Sequence, residues 1–229
     1  AQFSLALCYK EGSGVEEDPV QAIKWCRKAA EKRLAPAQLL LGTFYLDGTG
    51  TEKDPVQAVG WFKKASDPYS FIDISAMAVD PCGNLDLLYK PGGAQETAES
   101  CLGVCYEQGL GVEKDLVQAI YWYRKAAERG SASDQLTLGV HYENGEGVEK
   151  DIGQAIMWYR KAAKQGNARA HFNLGQLYIM GEGVIQDDRQ ACVHFLIAGA
   201  LGESIASEKI KIIREERLSA AGYEDAQQE

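Results

Sequence analysis

The chain has 229 residues, 45% of them hydrophobic and 25% charged, and a net charge of −9. This balance suits a soluble chain with a buried core and excludes bulk disorder, while the acidic surplus argues against nucleic-acid binding, which needs a basic stripe. No apolar run reaches the roughly 18 residues of a membrane span, so no membrane insertion is expected.

In chain order, one unit keeps returning. It is clearest as the turn Gly145-Glu-Gly147-Val148 followed by Asp151 to Ala163. The aspartates that open this stretch, Asp18, Asp54, Asp115, Asp151 and Asp187, lie 36, 61, 36 and 36 residues apart. Such a period marks stacked helical repeats. The first helix of each unit carries Leu-Gly-x-x-Tyr: Leu41, Gly42 and Tyr45, then Leu102, Gly103 and Tyr106, Leu138, Gly139 and Tyr142, and Leu174, Gly175 and Tyr178. In the opening copy Leu5, Ala6 and Tyr9 stand in. Leu and Tyr four apart share a helix face, and the glycine lets a second helix approach closely. A bulky residue at Gly139 should overpack that approach, at roughly 1–3 kcal/mol.

A Gly-x-Gly turn ends each first helix, from Gly12-Ser-Gly14 to Gly181-Glu-Gly183, because glycine readily adopts the left-handed conformation there. These turns follow helices and lack the Lys-Ser/Thr of a phosphate loop, so a turn role is expected. The second helix then opens on Asp with Gln three residues later, an acidic capping box in which Gln is expected to reach back. Pro19 and Pro55 occupy the first helical position, where a missing N–H does no harm. Trp25, Trp61, Trp122 and Trp158 flank the inner face of these helices and are expected to pack between repeats. Arg124-Lys125 and Arg160-Lys161 suit the negative helix end.

The spacing of 61 leaves 25 extra residues within Asp67 to Gly93. That stretch holds the turn signals Asp80-Pro81 and Pro91-Gly92-Gly93 and two apolar pieces, Phe71 to Ile74 and Leu85 to Tyr89. It reads as a surface insertion, or as a flap over one face of the array. Glu203 to Ser219 reads as a last helix, with Ile205, Ile210, Ile212, Ile213 and Leu218 apolar, that shields the end of the stack; Gly222 to Glu229 reads as a frayed tail.

The cysteines fall in apolar slots. Cys8 and Cys105 take the place of Phe44, His141 and Leu177; Cys26 takes that of Phe62, Tyr123, Tyr159 and Phe195; Cys192 takes that of Ile23 and Ile156. This favours a reducing compartment. A chain that starts inside a repeat is equally compatible with a removed leader or a longer parent. Neither the three histidines nor Cys101 with Cys105 shows a metal-ligand spacing, and no cofactor is expected.

With five linked copies of these motifs, the chain resembles the Sel-1-like repeat family, which is related to tetratricopeptide repeats. The resemblance implies an all-α, right-handed superhelical α-solenoid of about five helix-turn-helix repeats of 36 residues, with one 25-residue insertion and a C-terminal capping helix. Residues 1–66 would be two repeats, the first truncated at its start, 67–93 the insertion, 94–202 three further repeats, and 203–229 the capping helix and tail. His194 stands where the other repeats have Trp.

The resemblance also implies a non-catalytic scaffold or adaptor for a protein or peptide partner, with no small-molecule substrate. A cysteine-rich branch of the family has been described as β-lactamase-like. Its cysteine ladder would fall at Ala30 and Gln38 or at Ala127 and Gln135, and no Ser-x-x-Lys nucleophile occurs in this chain. A structural spacer within a longer chain is the other alternative. If the first helices line a concave side, the face opposite the Leu-Gly-Tyr stripe is the partner surface. By helical period that face carries Leu39, Thr43 and Leu46; Ser100, Val104 and Glu107; Leu136, Val140 and Glu143; and Phe172, Gln176 and Ile179. Its apolar character, punctuated by two glutamates, predicts a peptide with apolar anchors and some basic character.

Overall fold

A computed structural model describes residues 1–68 and 93–213. All regular elements among them are α-helices. They are α1 Gln2–Glu11, α2 Pro19–Ala30, α3 Ala35–Asp47, α4 Pro55–Ala65, α5 Gly93–Gln108, α6 Leu116–Arg129, α7 Ala132–Asn144, α8 Ile152–Lys164, α9 Ala168–Met180, α10 Asp188–Ala200 and α11 Ala206–Ile213. They form an α-solenoid fold in which odd and even helices pair as hairpins. The chain divides into two compact units, Ala1–Gly130 and Ser131–Glu229. In the first, α2 packs on α3, α4 on α5, and α3 also meets α5; in the second, α8 packs on α9 and α10 on α11. The two apolar pieces expected at Phe71 to Ile74 and Leu85 to Tyr89 lie outside the described residues, as do Leu218 and the tail.

Local chemistry sets the helix ends. Asp18, Asp54, Asp115, Asp151 and Asp187 each accept from the backbone N–H of the Gln three residues on, at 2.9–3.0 Å. The expected return arm of the capping box is replaced by a main-chain bond. The N–H of each aspartate donates to the carbonyl of the motif tyrosine nine residues earlier: Tyr9, Tyr45, Tyr106, Tyr142 and Tyr178. With that N–H already satisfied, a Gln side chain has nothing to reach back for. Where a Gln side chain does turn back, at Gln57, its Nε2 donates to the Asp54 carboxylate at 2.8 Å.

In two turns of the first unit the second glycine serves contact as well as conformation. A Cβ on Gly111 would lie 2.1 Å from the Pro55 carbonyl oxygen, and one on Gly50 would lie 2.1 Å from that of Pro19. These two turns therefore rest against the start of the preceding repeat's second helix, which no side chain would permit.

The core repeats one contact. A Cβ on Gly42, Gly103, Gly139 or Gly175 would stand 2.5, 2.4, 2.3 or 2.9 Å from the ring of Phe62, Tyr123, Tyr159 or Phe195. Those rings are buried, as is Cys26 at the same position of the first repeat. There the swap is compensated: Ala6 adds a methyl where the others have glycine, and Cys26 removes a ring. The last element begins at Ala206, three residues later than expected, and its expected run beyond Ile213 lies outside the described residues. In α11 the helical period turns Ala206, Ile210 and Ile213 inward, and Ile205 and Ile212 stay exposed.

Candidate functional site

The first helices supply the twelve expected partner-face residues, and none of the twelve is fully exposed. In the first unit Leu39 is buried, 3% exposed, among Leu40, Leu41 and their neighbours, so it belongs to the core. Leu46 is half-buried against the same core, and Val104 is half-buried. Thr43 and Ser100 donate to carbonyls of their own helices, Leu40 at 2.7 Å and Glu96 at 3.1 Å. In the second unit Leu136 and Val140 lean on the cluster around Tyr159, Phe172 and Ile179 lean on the one around Phe195, and Gln176 is half-buried. The two glutamates are engaged from behind. Tyr123 donates to Glu107 at 2.6 Å and Tyr159 to Glu143 at 2.5 Å. Burial and the adjacent Glu143 charge hold the Tyr159 phenol well above its usual range, so it remains a donor. In each unit the face is thus half-covered and largely apolar, with one anchored carboxylate.

Three other sets of contacts carry polar chemistry. Motif tyrosines receive the cationic end of the preceding second helix: Arg27 donates to Tyr45, Lys63 sits over Tyr106 at 5.5 Å, and Arg160 donates to Tyr178 at 3.4 Å. Each tryptophan carries the lysine one turn on over its ring, with Lys28, Lys64, Lys125 and Lys161 at 4.2, 3.8, 5.0 and 3.9 Å. The third set occupies one slot near the start of the first helix, filled by Gln38, Glu99, Gln135 and His171. Gln38 donates to the Ala30 carbonyl at 3.2 Å, and His171 hydrogen-bonds the Ala163 backbone, again eight residues earlier. Gln135 accepts from Gln165 at 2.9 Å. Glu99, 1% exposed, takes Arg129 Nε at 2.8 Å; burial raises its carboxyl above the usual range and Arg129 opposes that rise.

His171 and His194 come together, which their spacing did not suggest: their Nδ1 atoms are 3.0 Å apart. The signal was available, because His194 sits in the Trp slot and His171 in the buried polar slot. Cys26 donates its S–H to the Ala37 carbonyl at 3.2 Å, and burial pushes its thiol far up and that of Cys105 up to about 11. Among the described residues no three His, Cys, Asp or Glu side chains converge as a metal site, and no helix is long and apolar enough to cross a membrane.

Comparison with known proteins agrees with the geometry. The family model of the Sel1 repeat matches residues 1–33, 35–67, 98–131, 134–167 and 168–203. A protective antigen present in uropathogenic Escherichia coli strains, displaying an SLR fold, is 33% identical with a TM-score of 0.79; the match covers 95% of this chain and 41% of that one. The chain therefore spans about two-fifths of that relative's length. A Sel1 repeat protein from Oxalobacter formigenes is 30% identical with a TM-score of 0.71, covering 98% of this chain and 85% of that one. Among curated proteins none matches.

Proposed function

The chain belongs to the Sel1 repeat family, whose members are generally protein-interaction scaffolds, and from that premise we propose that the first-helix face within each unit captures a peptide segment of a partner protein. The observation that supports this is the half-burial of Val104 in one unit and of Leu136, Val140, Phe172 and Ile179 in the other. A half-covered apolar side chain still gains from a guest, at roughly 25 cal/mol per Å² newly removed from water. The anchored carboxylates Glu107 and Glu143 stand beside these side chains, and the chain's net charge is −9. Both favour a guest that mixes apolar anchors with Lys or Arg. No catalytic step is part of this reading, as is typical of the family.

Selection of a random displayed peptide library on the immobilised full chain tests it. Retained peptides should combine apolar residues with Lys or Arg. Val140→Glu should then weaken the best of them at least about tenfold, the effect of losing about 1.4 kcal/mol. Phe172 is a poorer site for this change because its ring packs on Phe195, with centroids 5.3 Å apart. Unaltered affinity in Val140→Glu, with the helical circular dichroism intact, would rule this face out.

A further inference from the structure

The final hairpin, α9 and α10, differs from the others at two positions at once. The pairings Gln38 with Trp61 and Gln135 with Trp158 become His171 with His194. The two imidazoles meet Nδ1 to Nδ1 at 3.0 Å. A contact of that length needs one proton and one lone pair in the gap.

The surroundings say which ring supplies which. His171 hydrogen-bonds the Ala163 backbone, as Gln38 bonds Ala30. With Nδ1 turned to His194, the nitrogen left to donate to that carbonyl is Nε2. Nδ1 of His171 is then the acceptor, and Nδ1–H of His194 is the donor. His194 is fixed from its face as well, stacked on the Tyr178 ring at 5.5 Å and 17°. Tyr178 in turn accepts from Arg160 on α8. Among the described residues, the charges that act on His194 are those of His171 and Arg160, both unfavourable to protonation, and no ionisable group of α11 contributes to either ring.

We propose that this contact is an acid-operated latch on the last hairpin, in which a second proton forces α10 away from α9. The first proton is harmless, because it can settle on His194 Nε2 and leave the bridging N–H in place. The second must go to His171 Nδ1, the acceptor itself. Two N–H donors and two positive charges would then face each other across 3.0 Å, beside the Arg160 guanidinium. The hydrogen bond has no lone pair left, and the rings must part.

The direction of the pH effect follows from burial. Desolvation is the largest cause acting on each ring, and it lowers both below the ordinary value of 6.5. The opened hairpin therefore binds more protons than the closed one. Closure is favoured above the ordinary histidine range and is lost as pH falls through the depressed values. The latch does not depend on peptide capture and stands or falls separately from it.

Native-state hydrogen exchange on the full chain tests the latch, with amides of α10 compared with those of α8 between about pH 7 and about pH 4.5 after correction for intrinsic rates. The opening constant of α10 should rise with acid, approaching roughly 100-fold per pH unit where both protons are taken up. It should rise far more steeply than that of α8. The double variant His171→Gln, His194→Trp restores the pairing of the earlier repeats and should flatten the response. An α10 response no steeper than that of α8, or one that persists in the double variant, overturns the proposal. Should the double variant fail to fold, ¹⁵N spectra of the wild-type imidazoles decide. Doubly protonated rings in a protein that keeps the closed-state contact between His171 and His194 refute the latch, and loss of the contact with the second proton supports it.

Discussion

Replacing Gly103 by alanine sets two effects against each other, and the structure says which wins. Alanine is the better helix former by about 0.8–1 kcal/mol in a helix interior. At Gly103, however, the added Cβ would stand 2.4 Å from both Cδ1 and Cε1 of Tyr123. That ring is 3% exposed, and its hydroxyl is tied to Glu107 at 2.6 Å, so it has little room to withdraw. Overpacking of this kind costs roughly 1–3 kcal/mol, and the overlap of more than an ångström belongs to the upper half. Gly103→Ala should therefore lose about 1–2 kcal/mol net. Gly60, exposed in α4, provides the control because a Cβ there meets nothing within 4 Å. Gly60→Ala should gain about 0.5–1 kcal/mol. Urea unfolding followed by circular dichroism measures both. The first repeat also supplies a rescue, since its Ala6 stands in register with Cys26. In Gly103→Ala, Tyr123→Cys the alanine penalty should largely vanish, giving a coupling of about 1 kcal/mol or more relative to the two single changes. Equal gains at Gly60 and Gly103, or strict additivity in the double variant, would refute the close-approach account.

Two further predictions concern the polar contacts. Asp115→Ala should cost about 1 kcal/mol, whereas Gln118→Ala should change the urea midpoint little, because the Asp115 N–H is held by the Tyr106 carbonyl; a comparable loss from both would restore the reciprocal box. Arg129→Ala should cost about 2 kcal/mol near neutral pH, less than for a fully buried pair because the Arg129 side chain is about one-third exposed. Burial raises the folded-state value of Glu99, so the native chain then holds a proton that the unfolded chain releases as pH rises. The deficit should be largest near neutrality and shrink near pH ~4.5; urea midpoints at the two pH values check this, and a deficit that grows in acid contradicts it.

The parts of the fold legible in the sequence are those set by chemistry within a few residues. An aspartate before a helix and a glycine after one act through their own backbone neighbours, so Asp54 and Gly48 announce their roles. The tyrosine carbonyl that replaces the Gln arm was not legible because it comes from the previous helix, nine positions away. The polar slot of Gln38, Glu99, Gln135 and His171 escaped for another reason: its letters vary while its position does not. The burial of Leu39, on the expected partner face, was not legible from helical period alone. Helical period divides a helix into two faces, whereas α3 packs against α2, α4 and α5. The side turned away from one neighbour is thus partly covered by the next, and Leu39 enters the core.

The main-chain bond from each aspartate to the tyrosine nine residues before it has a consequence for how such arrays change length. It is made wholly inside one hairpin, from main-chain atoms that every residue type but proline supplies. A copied segment therefore arrives with its corner already fastened and needs no adjustment of its neighbours to keep its two helices at the right angle. Lengthening or shortening by whole hairpins leaves every remaining corner intact, whereas a cut between tyrosine and aspartate frees the start of one helix and the end of another.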